Sequence, residues 1–216
     1  MDQASLNLLL DARVVFFDFD GVIKDSLEVK ADVFEHLFKP YGLHVSQRVR
    51  KHHEANGGMS RFEKLPLYLE WAGVARNQDI LERLEHDFSL LAKTGVIQSS
   101  WVVGMPDYLY KNAGRQVFYL VTATPDNEIK EILQKLKIDH FFSGIMGSPE
   151  TKEDAIKKTI IDNNINTSES ILIGDSRIDY DAATKNRICF FLRRTKFNAD
   201  LEGVARGRVI TDFSIE

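Results

Sequence analysis

Val14-Val15-Phe16-Phe17 runs directly into Asp18-Phe19-Asp20-Gly21. Four apolar residues without alternation suit a strand buried on both faces of a parallel sheet. The two acids that follow are i and i+2, so on extended backbone they point to one side, about 6.5–7 Å apart. Carboxylates at that spacing can share a metal or a substrate while doing different work, one as nucleophile and the other as proton donor and acceptor. Gly21 allows a tight turn and close approach to a ligand. The plain alternative is a strand end followed by a turn that favours Asp and Gly.

Outward from this stretch the same grammar repeats. Val117-Phe118-Tyr119-Leu120-Val121 ends at Thr122, residues 142–146 end at Gly147-Ser148, Ile171-Leu172-Ile173 ends at Gly174-Asp175, and residues 188–192 end at Arg193. Helical periodicity lies between these runs, over residues 126–137, 151–164 and 177–186. Thr151 with Asp154 reads as a helix N-cap. The order implies an α/β fold: a Rossmann-like parallel sheet with helices on both faces.

Residues 25–94 break the pattern, with no convincing strand. Leu27, Phe34, Leu37 and Phe38 fit one helix, and Ile80, Leu81, Leu84, Phe88 and Leu91 another. Ser60-Arg61-Phe62-Glu63 is a capping box opening a third, which Pro66 is expected to kink or restart. The reading is an all-helical cap over 25–94 inserted into a catalytic core of 1–24 and 95–216. Residues 95–104 read as the return linker, and 22–25 and 94–102 as the tethers able to hinge.

Composition narrows the classes. The 216 residues carry 28 Lys and Arg against 32 Asp and Glu, a net charge of −4, which argues against a general nucleic-acid binder. The single cysteine, Cys189, excludes an intrachain disulfide and reads as a buried structural thiol. No apolar run is long enough to span a bilayer, and no signal peptide is evident, so the expectation is a cytoplasmic protein, monomer or homodimer, without membrane partners.

In open parallel sheets ligands bind beyond the carboxyl ends of the strands. Asp18, Asp20, Thr122 and Asp175 fall there, with Lys152 opening the helix after the third strand. Each has a plain reading: Asp175 as an N-cap, Thr122 as a turn residue, Lys152 as a solvated lysine. Their coincidence at one sheet edge points to phosphate chemistry. A hard dication such as Mg²⁺ would bridge Asp18, Asp175 and a phosphate oxygen. Lys152 would offset the remaining negative charge, and Thr122 would donate a hydrogen bond.

These motifs resemble the haloacid dehalogenase superfamily, in its phosphoglycolate phosphatase and β-phosphoglucomutase-like branch. Asp18-Phe19-Asp20-Gly21-Val22-Ile23 resembles its first motif, Thr122 the second, Lys152 the third, and Gly174-Asp175 with Asp179 the fourth. Thr122 and Lys152 are 30 residues apart and Asp175 follows after 23. The resemblance implies that Asp18 attacks phosphorus and that Asp20 serves as acid, then base. It implies Mg²⁺ held by Asp18, the Asp20 carbonyl and Asp175, with Asp179 behind them. Thr122, Lys152 and the backbone near Gly21 and Ala123 would hold the phosphoryl group.

The second Asp argues against carbon–halogen cleavage. Gly58-Met59-Ser60-Arg61 resembles the substrate loop of β-phosphoglucomutases, which makes Arg61 a candidate for a distal substrate group. The mutases carry His twelve residues after the nucleophile; Lys30 stands there and weighs against mutase activity. The expected function is a Mg²⁺-dependent phosphatase for a small phosphorylated metabolite, a sugar phosphate being one candidate. A phosphomutase and a non-catalytic binding protein are the alternatives. His52-His53-Glu54 lacks metal-site spacing and reads as a solvated helix face.

Overall fold

The computed structural model describes residues 3–75 and 77–214. In chain order α1 (Gln3–Asp11) leads into β1 (Val14–Phe17). Four helices follow: α2 (Leu27–Phe38), α3 (Leu43–Ala55), α4 (Arg61–Trp71) and α5 (Gln78–Gln98). Then come α6 (Met105–Asn112), β2 (Val117–Pro125), α7 (Asp126–Leu136), β3 (Phe142–Ser148) and α8 (Lys152–Asp162). The chain closes with β4 (Ser170–Gly174), α9 (Arg177–Lys185), β5 (Cys189–Arg193), α10 (Glu202–Ala205) and β6 (Val209–Ile210).

The six strands form one parallel sheet in the order β3-β2-β1-β4-β5-β6. Its apolar runs are divided between two cores. Val15, Phe17, Phe118, Leu120, Ile171 and Ile173 face one side, under Leu9 of α1, Tyr108 and Leu109 of α6 and Ile129, Ile132 and Leu133 of α7. Val14, Phe16, Val121, Leu172 and Leu192 face the other, under Ala155 and Ile156 of α8 and Ala182 and Ala183 of α9. This two-sided burial is why the strands do not alternate. The strand order reverses at β1, so the crevice beyond Phe17 lies at the switch point where doubly wound sheets receive ligands.

Helices α2–α5 enclose a third core of Phe34, Phe38, Leu65, Tyr68, Leu84 and Phe88. Ser60 and Glu63 form the expected capping box at the start of α4. Pro66 lies inside α4, which is not restarted there. Helix α5 continues to Gln98, so the first part of the expected linker is helical. Gly95 is not a breaker: a Cβ there would sit 2.5 Å from Cγ1 of Val29, so the glycine lets α5 approach α2. Cys189 is half-buried rather than buried, its body packed against the sheet core.

Candidate functional site

The carboxyl end of β1 delivers Asp18 into a buried polar cluster. Its backbone N–H donates to the carbonyl of Ile173 at 2.9 Å, which continues the sheet pairing and fixes the strand end. Its Oδ1 accepts from the N–H of Phe19 at 2.7 Å, and its Oδ2 lies 2.7 Å from the ammonium of Lys152. That ammonium also donates to Oδ1 of Asp179 at 2.6 Å. Lys152 stands at the first position of α8, whose N-cap Thr151 accepts from the N–H of Asp154. Asp179 is fixed in turn by Ser176, which caps α9 and donates from its hydroxyl to Oδ2 at 2.6 Å.

Asp18, Asp175 and Asp179 present carboxylate oxygens all within 4.8 Å of one another. Lys152 is the cation paired with two of them. Burial, then repulsion from Asp18 and Asp179, pushes Asp175 well above the ordinary carboxylate range. Burial is also the main force raising Asp18 to about 7, with Lys152 opposing it and Asp179 and Asp20 adding to it. Burial alone would lower Lys152; Asp179 and Asp18 outweigh it and raise the lysine. A close group of hard oxygen donors with surplus negative charge suits a divalent cation of the Mg²⁺ kind.

Asp20 stands beside this cluster in a different environment. Its Oδ1 accepts from the hydroxyl of Ser26 at 2.6 Å, and its Oδ2 is paired with the ammonium of Lys30. Lys30 also donates to Oγ1 of Thr124 at 2.9 Å. Burial acts to raise Asp20, but the charge and hydrogen bond of Lys30, with that of Ser26, prevail and lower it. The two acids of one strand end are therefore pushed in opposite directions. Gly21 has φ +74°, and a Cβ there would lie 2.6 Å from Oδ2 of Asp175, so this turn tolerates no side chain.

Thr122 and Ala123 line the same cleft as Asp18, Asp20, Lys152 and Asp175. Pairing of β2 with β3 lapses between Val121 and Pro125, which leaves this segment at the cleft. From the helical cap come Lys30, His53, Arg61 and Lys64, together with the loop Gly57-Gly58-Met59. Arg61 lines the cleft, but its guanidinium is held by Glu128 of α7 at 2.6 Å, both side chains 6 % exposed. Glu128 also accepts from the hydroxyl of Ser89 at 2.5 Å.

Ser26, Thr124, Lys64 and Glu128 escaped the sequence reading, and His53 reads there as solvated. Ser26 precedes α2 as an N-cap whose side chain makes no capping bond, being turned to Asp20 instead. Thr124 is i+2 from Thr122, the same-side spacing already used for Asp18 and Asp20. His53 is 4 % exposed, with Nδ1 at 2.8 Å from the Lys64 nitrogen, which corrects the expectation of a solvated face. Its neighbour His52 bonds the hydroxyl of Tyr68 through Nδ1.

The sheet order and this acidic strand end define a class of hydrolase, and sequence comparison places the chain within it. A model of the haloacid dehalogenase-like hydrolase family matches residues 15–192, and the chain belongs to that family. No curated protein matches the sequence significantly. Among solved structures, a predicted phosphoglycolate phosphatase of Haemophilus somnus superposes with a TM-score of 0.76 at 18 % identity, covering 94 % of this chain and 95 % of the other. CbbY of Rhodobacter sphaeroides, solved in complex with phosphate, gives 0.74 at 11 % identity, over 94 % and 95 %. A haloacid dehalogenase-like hydrolase of Streptococcus pneumoniae gives 0.68 at 18 % identity, over 92 % and 91 %. At these identities the likeness is one of fold. Among the described residues, no helix is long and apolar enough to cross a membrane.

Proposed function

We propose that this hydrolase is a Mg²⁺-dependent phosphatase that cleaves a small phosphorylated metabolite through an aspartyl-phosphate. The observation that supports this most is the cleft itself, where Asp18, Asp20, Thr122, Lys152 and Asp175 line one space beyond the end of β1 and the carboxylates of Asp18, Asp175 and Asp179 are grouped as a divalent cation would need them. The solved likeness in complex with phosphate agrees with the choice of ligand.

Asp18 is the nucleophile, fixed by the Phe19 N–H and oriented by Lys152. Asp20 gives a proton to the departing alcohol, then takes one from the water that attacks the aspartyl-phosphate. Thr122, Lys152 and the backbone at Gly21 and Ala123 hold the phosphoryl oxygens. Asp18, Asp175 and the carbonyl of Asp20 would hold Mg²⁺, with Asp179 steadying Lys152 behind them. The metal supplies the positive charge that lets a phosphate dianion approach these carboxylates. Residues 25–94 act as the cap that excludes bulk water over a core of 1–24 and 95–216.

The test is phosphate release from a panel of phosphorylated metabolites, with Mg²⁺ and with EDTA, for the wild type and Asp18→Asn. Mg²⁺-dependent release that Asp18→Asn lowers by about three orders of magnitude or more is expected, as for loss of a covalent nucleophile. Isomerisation of a hexose 1-phosphate with a bisphosphate primer replaces this reading with the mutase. No turnover on the panel replaces it with a binding protein.

A further inference from the structure

Beyond the carboxyl end of β5 lies a second polar groove that the proposed chemistry does not use. Asp25, Leu27 and Glu28 line it on one side and residues 193–197 on the other. Of these only Leu27 also lines the cleft of Asp18. Three cations stand in the groove. Lys196 is paired with Glu28, both side chains more than half exposed. Arg194, half exposed, meets Glu202 at 2.9 Å.

Arg193 is different. Its side chain is 12 % exposed, and its Nε is buried without a hydrogen-bond partner. Among the described residues the one carboxylate within reach is Asp25, whose Oδ1 lies 3.9 Å from Nη1. That is too long for a hydrogen bond, and the Asp25 side chain is itself mostly in water. A guanidinium is always charged and only donates. Buried donors left unmade are costly, and they call for an acceptor from outside the chain.

The loop that carries Arg193 is held in place. The N–H of Thr195 donates to Oδ1 of Asn198 at 2.8 Å, and that of Phe197 to Oγ1 of Thr195 at 3.2 Å. Asn198, 4 % exposed, donates from Nδ2 to the carbonyls of Arg193 and Asp175, at 2.9 and 2.8 Å. Arg193 and Lys196 are thus carried by a tied loop at the sheet edge where doubly wound folds receive ligands.

We propose that Arg193 and Lys196 form a second oxyanion site, apart from the cleft of Asp18, for a phosphate dianion, either free or as the head of a small metabolite. Arginine supplies a fork of donors and lysine a point charge. Asp25 and Glu28 are then its internal competitors. A bound anion draws Arg193 from Asp25 and Lys196 from Glu28, and so loosens two contacts between the start of residues 25–94 and the loop after β5. The site owes nothing to the phosphatase reading.

Inorganic phosphate is titrated calorimetrically into the full chain at pH 8 in EDTA. Without metal, the crowded carboxylates of Asp18, Asp175 and Asp179 repel a dianion, so the heat reports the groove. The wild type should bind with Kd about 1 mM or tighter. Arg193→Gln should weaken binding about tenfold or more, and Lys196→Gln about threefold. Glu28→Gln removes a competitor at an exposed position and should tighten binding about threefold, a gain that damage to the fold would not produce. Methylphosphonate separates the two sources: affinity equal to that of phosphate assigns the site to a phosphoryl head, and a clear loss assigns it to the free ion. Crystals soaked in selenate, a tetrahedral dianion with an anomalous signal, should show it between Arg193 and Lys196. Absence of binding at roughly ten times the expected Kd overturns the proposal. So does an affinity unmoved by Arg193→Gln in protein whose melting shows it folded, a Glu28→Gln variant without gain, or selenate found only elsewhere.

Discussion

Replacing Asp175 by Asn should make the metal-free protein more stable at alkaline pH while removing its response to Mg²⁺. Asp18, Asp175 and Asp179 crowd their oxygens within 4.8 Å, and burial with mutual repulsion raises Asp18 from 3.8 to about 7 and Asp175 well above its ordinary value. A carboxyl whose folded pKa lies above its unfolded one binds more protons in the folded state. Its contribution is favourable at low pH and is lost as pH climbs from the unfolded value toward the folded one. For Asp18 that window runs from 3.8 to about 7, and the loss across it is on the order of 4 kcal/mol. Asn at position 175 keeps the shape and removes one charge of the repelling set. With EDTA at pH 8 the variant should therefore exceed the wild type by roughly 1–3 kcal/mol, or roughly 3–10 °C in melting temperature for a chain of this size. Near pH 4 the gap should close, because that is the foot of the window, where the folded carboxyls carry protons and no longer repel one another. Saturating Mg²⁺ should raise the wild type by about 3 kcal/mol at a hundredfold excess over Kd and leave the variant nearly unmoved. The order of the two melting curves then inverts. Thermal melts over pH 4–8, with EDTA and with Mg²⁺, read all of this. A variant less stable than wild type at pH 8 in EDTA would refute the argument, as would equal Mg²⁺ shifts in both proteins.

Glu128→Ala strips Arg61 and Ser89 of their shared partner; an unpaired buried guanidinium costs about 3–5 kcal/mol, so the cap should open, seen as a larger radius in X-ray scattering. Lys93→Ala, which removes the more exposed pair with Glu131 on the same helix, should shift the melting by less than about 1 kcal/mol. Lys30→Met removes the main force holding Asp20 down and leaves only Ser26 and Lys152 against burial, so the limb of the pH–rate profile that Asp20 governs should move up by about one unit or more. Gly21→Ala forces a side chain onto φ +74° and against Asp175; its Mg²⁺ affinity, by calorimetry, should fall about tenfold or more.

The sheet was legible because two-sided burial leaves uninterrupted apolar runs, and the acids stood where those runs stopped. Helix α3 was not legible. Its inward residues are Ser46, Val49 and His53, so a search for apolar periodicity passes over it. Helix α6 is short, and β6 has only two residues, too few for a pattern to emerge. Lys64 sits between Glu63 and Leu65 like any surface lysine on an amphipathic helix; only the packing of α3 beside α4 turns it inward. Glu128 and Arg61 are 67 residues apart, and nothing local in either segment marks the pair. The residues that the sequence concealed are those whose meaning depends on how the cap meets the core.

On the proposed reading, that meeting also sets the order of the chemistry. Lys30 belongs to α2 and Asp20 to the end of β1, so a cap of residues 25–94 that closes over the core would bring the two together. A phosphate ester entering the cleft brings negative charge beside Asp20, which adds to burial and opposes Lys30. That balance favours a proton on Asp20, the state needed to release the alcohol. Once the alcohol has left with that proton, Asp20 is ionised again, and Lys30 and Ser26 hold it so, ready to take a proton from water. A lone carboxylate in water would respond weakly to either event, because charges at such range are screened there. Inside the closed cleft the same charges act at full strength, and the cap that brings Lys30 is also what excludes the water. On this reading closure and proton transfer are one design, carried by Lys30.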